Sequence, residues 1–415
     1  MRRSILVLTA FLIALLLGVP ATAAPAEGRI SADPVDWTPH ILDGQVWAMA
    51  VVGRTVVVGG DFAEVASADR RTRTGRDYLM AFSLDTGAVT AFRPDVDGPI
   101  RTLAAAPDGS VLAGGFFQHV NGVAMRGLVR LDVATGRISA GFRASVDGDV
   151  RAVVVHGGQA YVGGWFSHVD GIARKALARV DARTGAVDTG FDARLDAPEI
   201  GRTKVEDVAV SPAGDRLVVI GALTRALGAR RAQIALLDVS QPRVKLADWR
   251  TDAYNPRCRK QFDTYMRAVD FAPDGRYFVV VTTGRMSSPS LLCDTAARFE
   301  TYASGVRRPT WVNHTGGDSL YAVAVTGSAV YVGGHQRWLD NPYGNESAGS
   351  GAVSRPGISA IDPVSGKATA WNPTRTRGEG LRAFAVCPEG LLVGSDTDQL
   401  GHEYHGRIGL FPAVH

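Results

Sequence analysis

The segment 335–345 holds the densest group of chemically versatile side chains in this 415-residue sequence. It reads HQRWLDNPYGN, with little apolar filler between its polar and aromatic residues. Aromatic rings beside polar groups suit the recognition of sugars or peptides. We therefore predict a ligand site formed by His335, Arg337, Trp338, Asp340 and Tyr343. The alternative is a loop packed across its own domain with Trp338 as the anchor, since large aromatic side chains are mostly buried.

A second polar segment, DTDQLGHEYH, contains residue types that bind metal ions. Its candidate ligands are Asp396, Asp398, His402, Glu403 and His405. Carboxylate and imidazole groups are common metal ligands. The spacing does not match an EF-hand loop. It also differs from HExxH, because the histidines form HExH, with one residue fewer between them. The sequence therefore identifies neither a particular metal nor a cofactor.

These segments interrupt an internal repeat that fills most of the chain. Three consecutive copies contain VVVGGDFAEV, VLAGGFFQHVNG and AYVGGWFSHVDG, beginning at Val56, Val111 and Ala160. Each continues with an apolar strand that ends in an Asp-x-x-Thr-Gly-like turn, and then with a strand led by an aromatic residue. Four degenerate copies follow. Four-stranded units with a period of about 50 residues are typical of propeller blades.

The aromatic residues that open the fourth strands give the blade count. They are Trp37, Phe92, Phe142, Phe191, Trp249, Trp311 and Trp371. The last unit ends after its third strand, and the N-terminal DWTPHILDGQV, from Asp36, looks like an isolated fourth strand. We predict an all-β, seven-bladed β-propeller of four-stranded antiparallel blades, closed by this N-terminal strand, which removes an open sheet edge. The alternatives are a six- or eight-bladed ring and a two-sheet sandwich.

The best-preserved copy, residues 162–191, has the pattern VGGxFxxVxGxxRxxLARLDxxTGxxxxxF. The matching positions are Gly163, Gly164, Phe166, Val169, Gly171, Arg174, Asp181 and Gly185. This pattern resembles the delta-60 repeat β-propeller family, also called DUF5122. The resemblance covers about residues 36–415 and is strongest in the first three copies. It implies a propeller in an exported bacterial protein, and it implies no particular activity.

The N-terminus predicts export. Residues 1–23 resemble a signal peptide, with Arg2 and Arg3 before an apolar run and Ala21-Thr22-Ala23 at the cleavage site. We expect a linker over 24–35 and a single propeller domain over 36–415. The mature protein should be secreted and monomeric, with no membrane span. The formal net charge is only +4 and no basic run is present, which argues against a nucleic-acid partner.

Long insertions fall only in the connections from second to third strands and from each blade to the next. They cover residues 66–77, 198–204, 254–265, 285–294 and 335–354. Both kinds of connection open on one face, where we expect the binding surface. Cys258 and Cys293 lie on this face near the same blade, so we predict a disulfide between them. The alternative pairs one of them with Cys387, which we expect to be a buried free thiol.

Some residues recur between blades, and recurrence indicates a structural role. Arginine opens the third strand at Arg76, Arg126, Arg174, Arg231, Arg355 and Arg407. We expect these arginines to pair with recurring acids such as Asp132 and Asp181. His119 and His168 also occupy matching positions, so neither is a good ligand candidate.

No GxSxG, HExxH, Walker A or strand–helix GxGxxG motif is present. We therefore expect a non-catalytic binding module for a glycan or an extracellular protein. The alternative is an exported enzyme, either a glycoside hydrolase or lyase with acidic residues at the channel mouth or a quinoprotein-like dehydrogenase. The dehydrogenase idea rests on AIDPVSGKATAW, residues 360–371, which has one residue more than the quinoprotein motif AxDxxTGxxxW before its tryptophan.

Overall fold

The computed structural model describes residues 29–255, 258–259, 261–285 and 288–414. Every regular element in these ranges is a β-strand. The predicted signal peptide, residues 1–23, lies outside the described residues, as do parts of the predicted loops at 254–265 and 285–294. Within the described ranges, no helix is long and apolar enough to cross a membrane.

The first half of the chain, in order, forms β1 (Arg29–Ile30), β2 (His40–Ile41), β3 (Val46–Val52), β4 (Thr55–Gly60), β5 (Glu64–Ala66), β6 (Arg73–Gly75), β7 (Leu79–Ser83), β8 (Ile100–Ala105), β9 (Ser110–Gly115), β10 (His119–Val120), β11 (Val123–Ala124), β12 (Leu128–Asp132), β13 (Asp149–His156), β14 (Gln159–Trp165), β15 (His168–Val169), β16 (Ile172–Ala173), β17 (Leu177–Asp181), β18 (Lys204–Val210) and β19 (Arg216–Ala222). The second half forms β20 (Arg225–Ala226), β21 (Ala229–Arg230), β22 (Ile234–Asp238), β23 (Lys245–Leu246), β24 (Trp249–Arg250), β25 (Met266–Phe271), β26 (Tyr277–Thr282), β27 (Thr295–Glu300), β28 (Gly305–Val306), β29 (Trp311–His314), β30 (Leu320–Val325), β31 (Val330–Gly334), β32 (Trp338–Leu339), β33 (Val353–Ser354), β34 (Ile358–Ile361), β35 (Ala383–Cys387), β36 (Gly390–Gly394), β37 (Gln399–Leu400), β38 (Glu403–Tyr404) and β39 (Ile408–Val414).

The longer strands of the described residues form seven sheets, numbered here from first to seventh in chain order. Their strand orders are β3-β4-β7, β8-β9-β12, β13-β14-β17, β18-β19-β22-β23, β25-β26-β27-β29, β30-β31-β34 and β35-β36-β39-β1. The first strand of each sheet contacts the first strand of the next, and β35 contacts β3. The all-β architecture that the repeat predicts is therefore confirmed.

The predicted fourth strand is often reduced to a single backbone bridge. In the first, second, third and sixth sheets, the bridges are Phe82↔Val89, Leu131↔Ile138, Val180↔Val187 and Ile361↔Ala368. The aromatic residues Phe92, Phe142 and Phe191 follow the bridges in the first three sheets and are fully buried. These buried rings hold the chain in the core between sheets at the point where it leaves each sheet. The chain therefore does not form a full fourth strand there.

The recurring Gly-Gly pair allows neighbouring sheets to approach closely. A Cβ atom on Gly163 would lie 2.6 Å from Cγ1 of Val205 in the fourth sheet. A Cβ atom on Gly114 would similarly lie 2.5 Å from Cγ1 of Val150 in the third sheet. Real Cβ atoms do not tolerate such contacts, so the first glycine of the pair is required by packing between sheets.

The N-terminal strand that joins the seventh sheet lies earlier than the repeat comparison places it. Strand β1 pairs with β39 through Arg29↔Val414 and Ile30↔Ala413. The segment from Asp36 instead leads into β2, which pairs with β5, while Trp37 packs against the core of the first sheet. A two-residue strand carries too little alternation to be recognised from sequence.

The connections from second to third strands lie at the same end of the sheets. We call this end the hairpin face. Six of these connections contain small hairpins, namely β5–β6, β10–β11, β15–β16, β20–β21, β32–β33 and β37–β38. The fifth sheet instead has the Cys258–Cys293 disulfide. This bond confirms the predicted pairing, and Cys387 is a buried free thiol.

Five of the six recurring arginines donate to backbone carbonyls, and the prediction that they pair with Asp132 or Asp181 is wrong. Arg174 donates to the carbonyls of Ala173, Asp188 and Thr189. Asp132 and Asp181 instead accept hydrogen bonds within their own turns, from residues such as Thr184. The turn carboxylates therefore already accept hydrogen bonds within their own turns, and the arginines donate to backbone carbonyls instead.

Candidate functional site

A cavity of about 300 Å³ lies where the first strands of all seven sheets converge. Each sheet contributes one side chain at an equivalent position to its lining. We call this set the central ring: Trp47, Arg101, Arg151, Glu206, Arg267, Tyr321 and Arg382. The set contains four arginines and one glutamate, so its formal charge is +4 − 1 = +3.

A β-bulge aims most of these side chains into the cavity. In six first strands, the register shifts across the ring residue, as between Ile100 and Thr102 around Arg101. A bulge leaves one residue outside the regular ladder and redirects its side chain. The preceding residue, such as Ile100 or Val150, is fully buried between sheets. Packing therefore fixes the neighbour of each ring residue and leaves the ring position free to vary.

Arg151 is the ring arginine with acidic partners. Its Nη1 lies 2.9 Å from Oε2 of Glu206, and its Nε lies 3.1 Å from Oδ2 of Asp149. Glu206 also pairs with Lys204. Burial opposes ionisation of Glu206, but the charges of Arg151 and Lys204 outweigh it and lower the Glu206 pKa. Glu206 is therefore an ionised partner of Arg151.

The other ring arginines lack close acidic partners. Among the described residues, neither Arg101 nor Arg267 has a carboxylate at ion-pair distance, and Nε of Arg101 is buried without a hydrogen-bond partner. Arg382 is 3.8 Å from the exposed Glu379. Burial lowers the pKa of both Arg101 and Arg267, and it outweighs the opposing charges of Asp149 at Arg101 and Glu206 at Arg267. Arg101 and Arg267 therefore have no ion pair of their own among the described residues, although acidic groups lie nearby.

Aromatic rings and one amide hold two of these arginines in place. The Arg101 guanidinium lies 3.8 Å from the centroid of the Trp47 ring, and that of Arg382 lies 4.6 Å from the Tyr321 ring. Oε1 of Gln45 accepts hydrogen bonds from Nε1 of Trp47 and Nε of Arg382, each at 3.1 Å. Stacking and hydrogen bonding pre-organise the planar guanidinium groups.

Two half-buried carboxylates on the first strands connect neighbouring sheets. Asp207 accepts from the amides of Val208, at 2.8 Å, and Val269 in the fifth sheet, at 2.9 Å. Asp270 accepts from Phe271 and from Val325 in the sixth sheet. Burial, the largest cause, raises the pKa of both carboxyl groups to about 7. Both oxygens of each group are occupied by backbone amides, which suits a structural clamp.

The predicted loop residues are spread over four places. His335 lies at the rim of the central cavity, with its ring edge-to-face against Tyr321 at 5.5 Å. Arg337 pairs with Asp318 at 2.8 Å and stacks over Trp338 at 4.3 Å. Asp340 accepts from Nδ2 of Asn313 at 2.7 Å and from the amide of Ala368 at 3.1 Å.

Tyr343, the last residue of the predicted loop set, lies apart from the others. It is 73% exposed and lines a second cavity, of about 620 Å³, beside Cys258 and Arg285. The five predicted residues therefore have different contact partners in the structure. Their partners lie far away in sequence, so residue types within the loop could not reveal this.

The candidate metal ligands also have separate partners. Asp396 pairs with the buried Arg375 at 3.0 Å, while Glu403 contacts His405 at 2.9 Å. His402 lies 3.4 Å from the Thr374 hydroxyl. In the described part of the chain, no group of three or more His, Cys, Asp or Glu side chains is arranged to hold a metal ion.

Sequence reasoning missed the central ring. The first strands are mostly apolar, but several open with Arg or Tyr, as at Arg151, Tyr321 and Arg382. The available signal was a position where every copy has a large polar or aromatic residue of changing type. The recurrence of one residue type between copies cannot identify such a position, because its residue type changes from copy to copy.

Comparison with known proteins identifies the repeat. A family model described as "Domain of unknown function (DUF5122) beta-propeller" matches residues 106–133 and 158–191. The crystal structure of the computationally designed Ika8 protein is similar at 12% identity and a TM-score of 0.49, covering 92% of this chain and 100% of that one. That likeness carries no functional inference. No curated protein matches the chain. The family match confirms the resemblance to the delta-60 repeat pattern, and at these two segments the chain is similar to the DUF5122 β-propeller family.

Proposed function

We propose that the chain is a secreted, closed, seven-bladed propeller that acts as a non-catalytic binding module. The seven described sheets, the contact of β35 with β3 and the pairing of β1 with β39 support closure. The signal-peptide pattern of residues 1–23 and the Cys258–Cys293 disulfide support export. A glycan or an extracellular protein is the proposed ligand, as the exposed aromatic and polar groups of the hairpin face suggest.

The proposed ligand site is the central cavity. One observation carries this proposal: seven sheets place side chains of different types at equivalent positions around the same cavity. Positions that only maintain the repeat keep the same residue type, as the paired glycines do. His335, at the rim beside Tyr321, is the predicted loop residue closest to this site.

Binding accounts for the arrangement of acidic groups better than hydrolysis does. A glycosidase needs one carboxyl group with a raised pKa as the acid and a second carboxylate as base or nucleophile. Asp149 and Glu206 share Arg151, whose charge helps to lower the pKa of Glu206. Asp207 and Asp270 have raised pKa values, but their oxygens are bonded to backbone amides.

The test is a binding screen of the mature protein, residues 24–415, on glycan and extracellular-protein arrays. Tyr321→Ala changes the cavity and Trp338→Ala changes the hairpin face. Tyr302→Ala is the matched control, because Tyr302 is 51% exposed and bonds to Asp215 in a turn between first and second strands.

We expect binding to be lost in Tyr321→Ala and retained in Tyr302→Ala. Loss only in Trp338→Ala would move the site to the hairpin loop. An absence of any binding by the wild-type protein would remove support for the module.

A further inference from the structure

Arg101 differs from the arginines that maintain the fold. Arg174, a recurring arginine, uses its guanidinium to satisfy three backbone carbonyls. Arg101 has no hydrogen bond or ion pair with any described residue, and its Nε is shielded from solvent. A guanidinium carries five N–H donors. The Nε–H donor is the one that is shielded from solvent without an acceptor, which is unfavourable, so the position favours a ligand that supplies an acceptor.

Two other ring arginines, Arg267 and Arg382, also lack a close acidic partner. Arg267 donates to its adjacent carbonyl, that of Met266, at 2.7 Å and has no acidic partner in the described chain. Arg382 donates to Gln45, and its nearest carboxylate is the exposed Glu379 at 3.8 Å. Around the same cavity, two guanidinium groups therefore have no ion pair with a described residue, and the third has only an exposed partner.

The cavity limits the size of an anion that could balance this positive charge. Its volume of about 300 Å³ is at the lower end of the range for small-molecule sites. Planar guanidinium groups recognise the oxygens of carboxylate and phosphate groups through paired hydrogen bonds. Stacking on Trp47 and Tyr321 orients two of these groups before any ligand arrives.

We infer that the central ring binds a small, multiply charged oxyanion, with Arg101, Arg267 and Arg382 as its ligands. The anion is a free small molecule or the acidic end of a glycan, and both present the same oxygen chemistry. Arg151 is not part of the anion site, because Asp149 and Glu206 already neutralise it. This inference rests on the proposed function, since it assigns a ligand class to the same cavity.

Thermal unfolding and titration calorimetry of the mature protein test the inference. The probes are citrate, inorganic phosphate and a glucuronic-acid trisaccharide, each compared with sodium chloride at equal ionic strength and with glucose. The variants are Arg101→Gln and Arg267→Gln. Arg276→Gln is the matched control, because Arg276 is 82% exposed and 3.7 Å from Asp274 in a turn.

At least one multivalent anion should bind the wild-type protein and raise its melting temperature, whereas glucose and sodium chloride should not. Each ring variant should weaken anion binding by about tenfold or more, and Arg276→Gln should leave it unchanged. Without anion at low salt, Arg101→Gln should melt at or above the wild-type temperature, because the substitution removes uncompensated positive charge. Preference for the trisaccharide over citrate and phosphate would identify the glycan source.

Equal anion binding by the wild type and both ring variants would overturn the inference, as would the absence of binding by all three probes. Arg382→Gln gives a second reading at a third ring position if either of these variants fails to fold. If a neutral glycan bound and required Tyr321 while no anion bound, the binding module would stand and the anion site would fall. Failure of both the arrays and the anion titrations would count against both.

Discussion

Replacing Asp207 with threonine should make the protein more stable at neutral pH and change its pH dependence. In the second sheet, Thr102 occupies the equivalent position, and its hydroxyl accepts from the amide of Val153 at 3.0 Å. Asp207 makes the same connection to Val269 at 2.9 Å. Threonine therefore keeps the bond between sheets and removes the carboxyl group.

The size of the effect follows from the pKa. Burial raises the Asp207 pKa from 3.8 to about 7, so folding favours the protonated carboxyl group. Its stabilising contribution is fully present below pH 3.8 and is lost as the pH rises through about 7. The full shift corresponds to roughly 4 kcal/mol, an upper bound because Asp207 is only half-buried in the cavity wall.

The assay is urea unfolding of the mature wild-type and Asp207→Thr proteins at several values between about pH 4 and pH 8. The free energy of unfolding of the variant, relative to wild type, should increase by about 2–4 kcal/mol across this range. A difference that stays constant with pH would refute the reasoning. Asp181→Asn is a control of opposite sign, because bonds from Thr184 lower the Asp181 pKa and its contribution is lost as the pH falls.

Three further predictions test the scaffold. Gly163→Ala should lower the free energy of unfolding by about 1–3 kcal/mol, because its Cβ would lie 2.6 Å from Val205. Gly75→Ala should not lower it in this way, because no atom lies within 4 Å of that position. Equal effects of the two substitutions would contradict close packing between sheets. Removing the disulfide, which spans 35 residues, through Cys258→Ser with Cys293→Ser should cost about 4 kcal/mol in the same urea assay. An unchanged midpoint would contradict this, and Cys387→Ser leaves the disulfide intact as a control. Deleting residues before Ala32 removes β1 and exposes the β39 edge, so light scattering should detect association; a monomer of unchanged stability would show that β1 is dispensable.

The repeat predicted the parts of the fold that backbone geometry determines. Gly163 is identifiable because no other residue fits there, and the Asp181 turn because its side chain satisfies the turn amides. The disulfide followed from placing Cys258 and Cys293 on one face. These features depend on local or repeated constraints, which leave the same residues in each copy.

The functional site was not predictable in the same way. Arg101 and its equivalents sit at a bulge where packing imposes no residue type, so comparison between copies filtered them out. The loop residues were correctly seen as polar, but their partners lie far along the chain: Asp318 for Arg337 and Glu379 for His335. Hydrogen-bond partners brought together by folding decide whether a polar residue is free to bind a ligand.

The central claim, that the ring cavity receives an anionic ligand, is tested most directly by locating an anion in a crystal of the mature protein. Soaking with selenate, a phosphate-like oxyanion, allows its position to be found by anomalous scattering. We expect a peak within hydrogen-bond distance of the Arg101 and Arg267 guanidinium groups, absent from the Arg101→Gln protein. Peaks confined to exposed arginines such as Arg276, with an empty ring, would contradict the account.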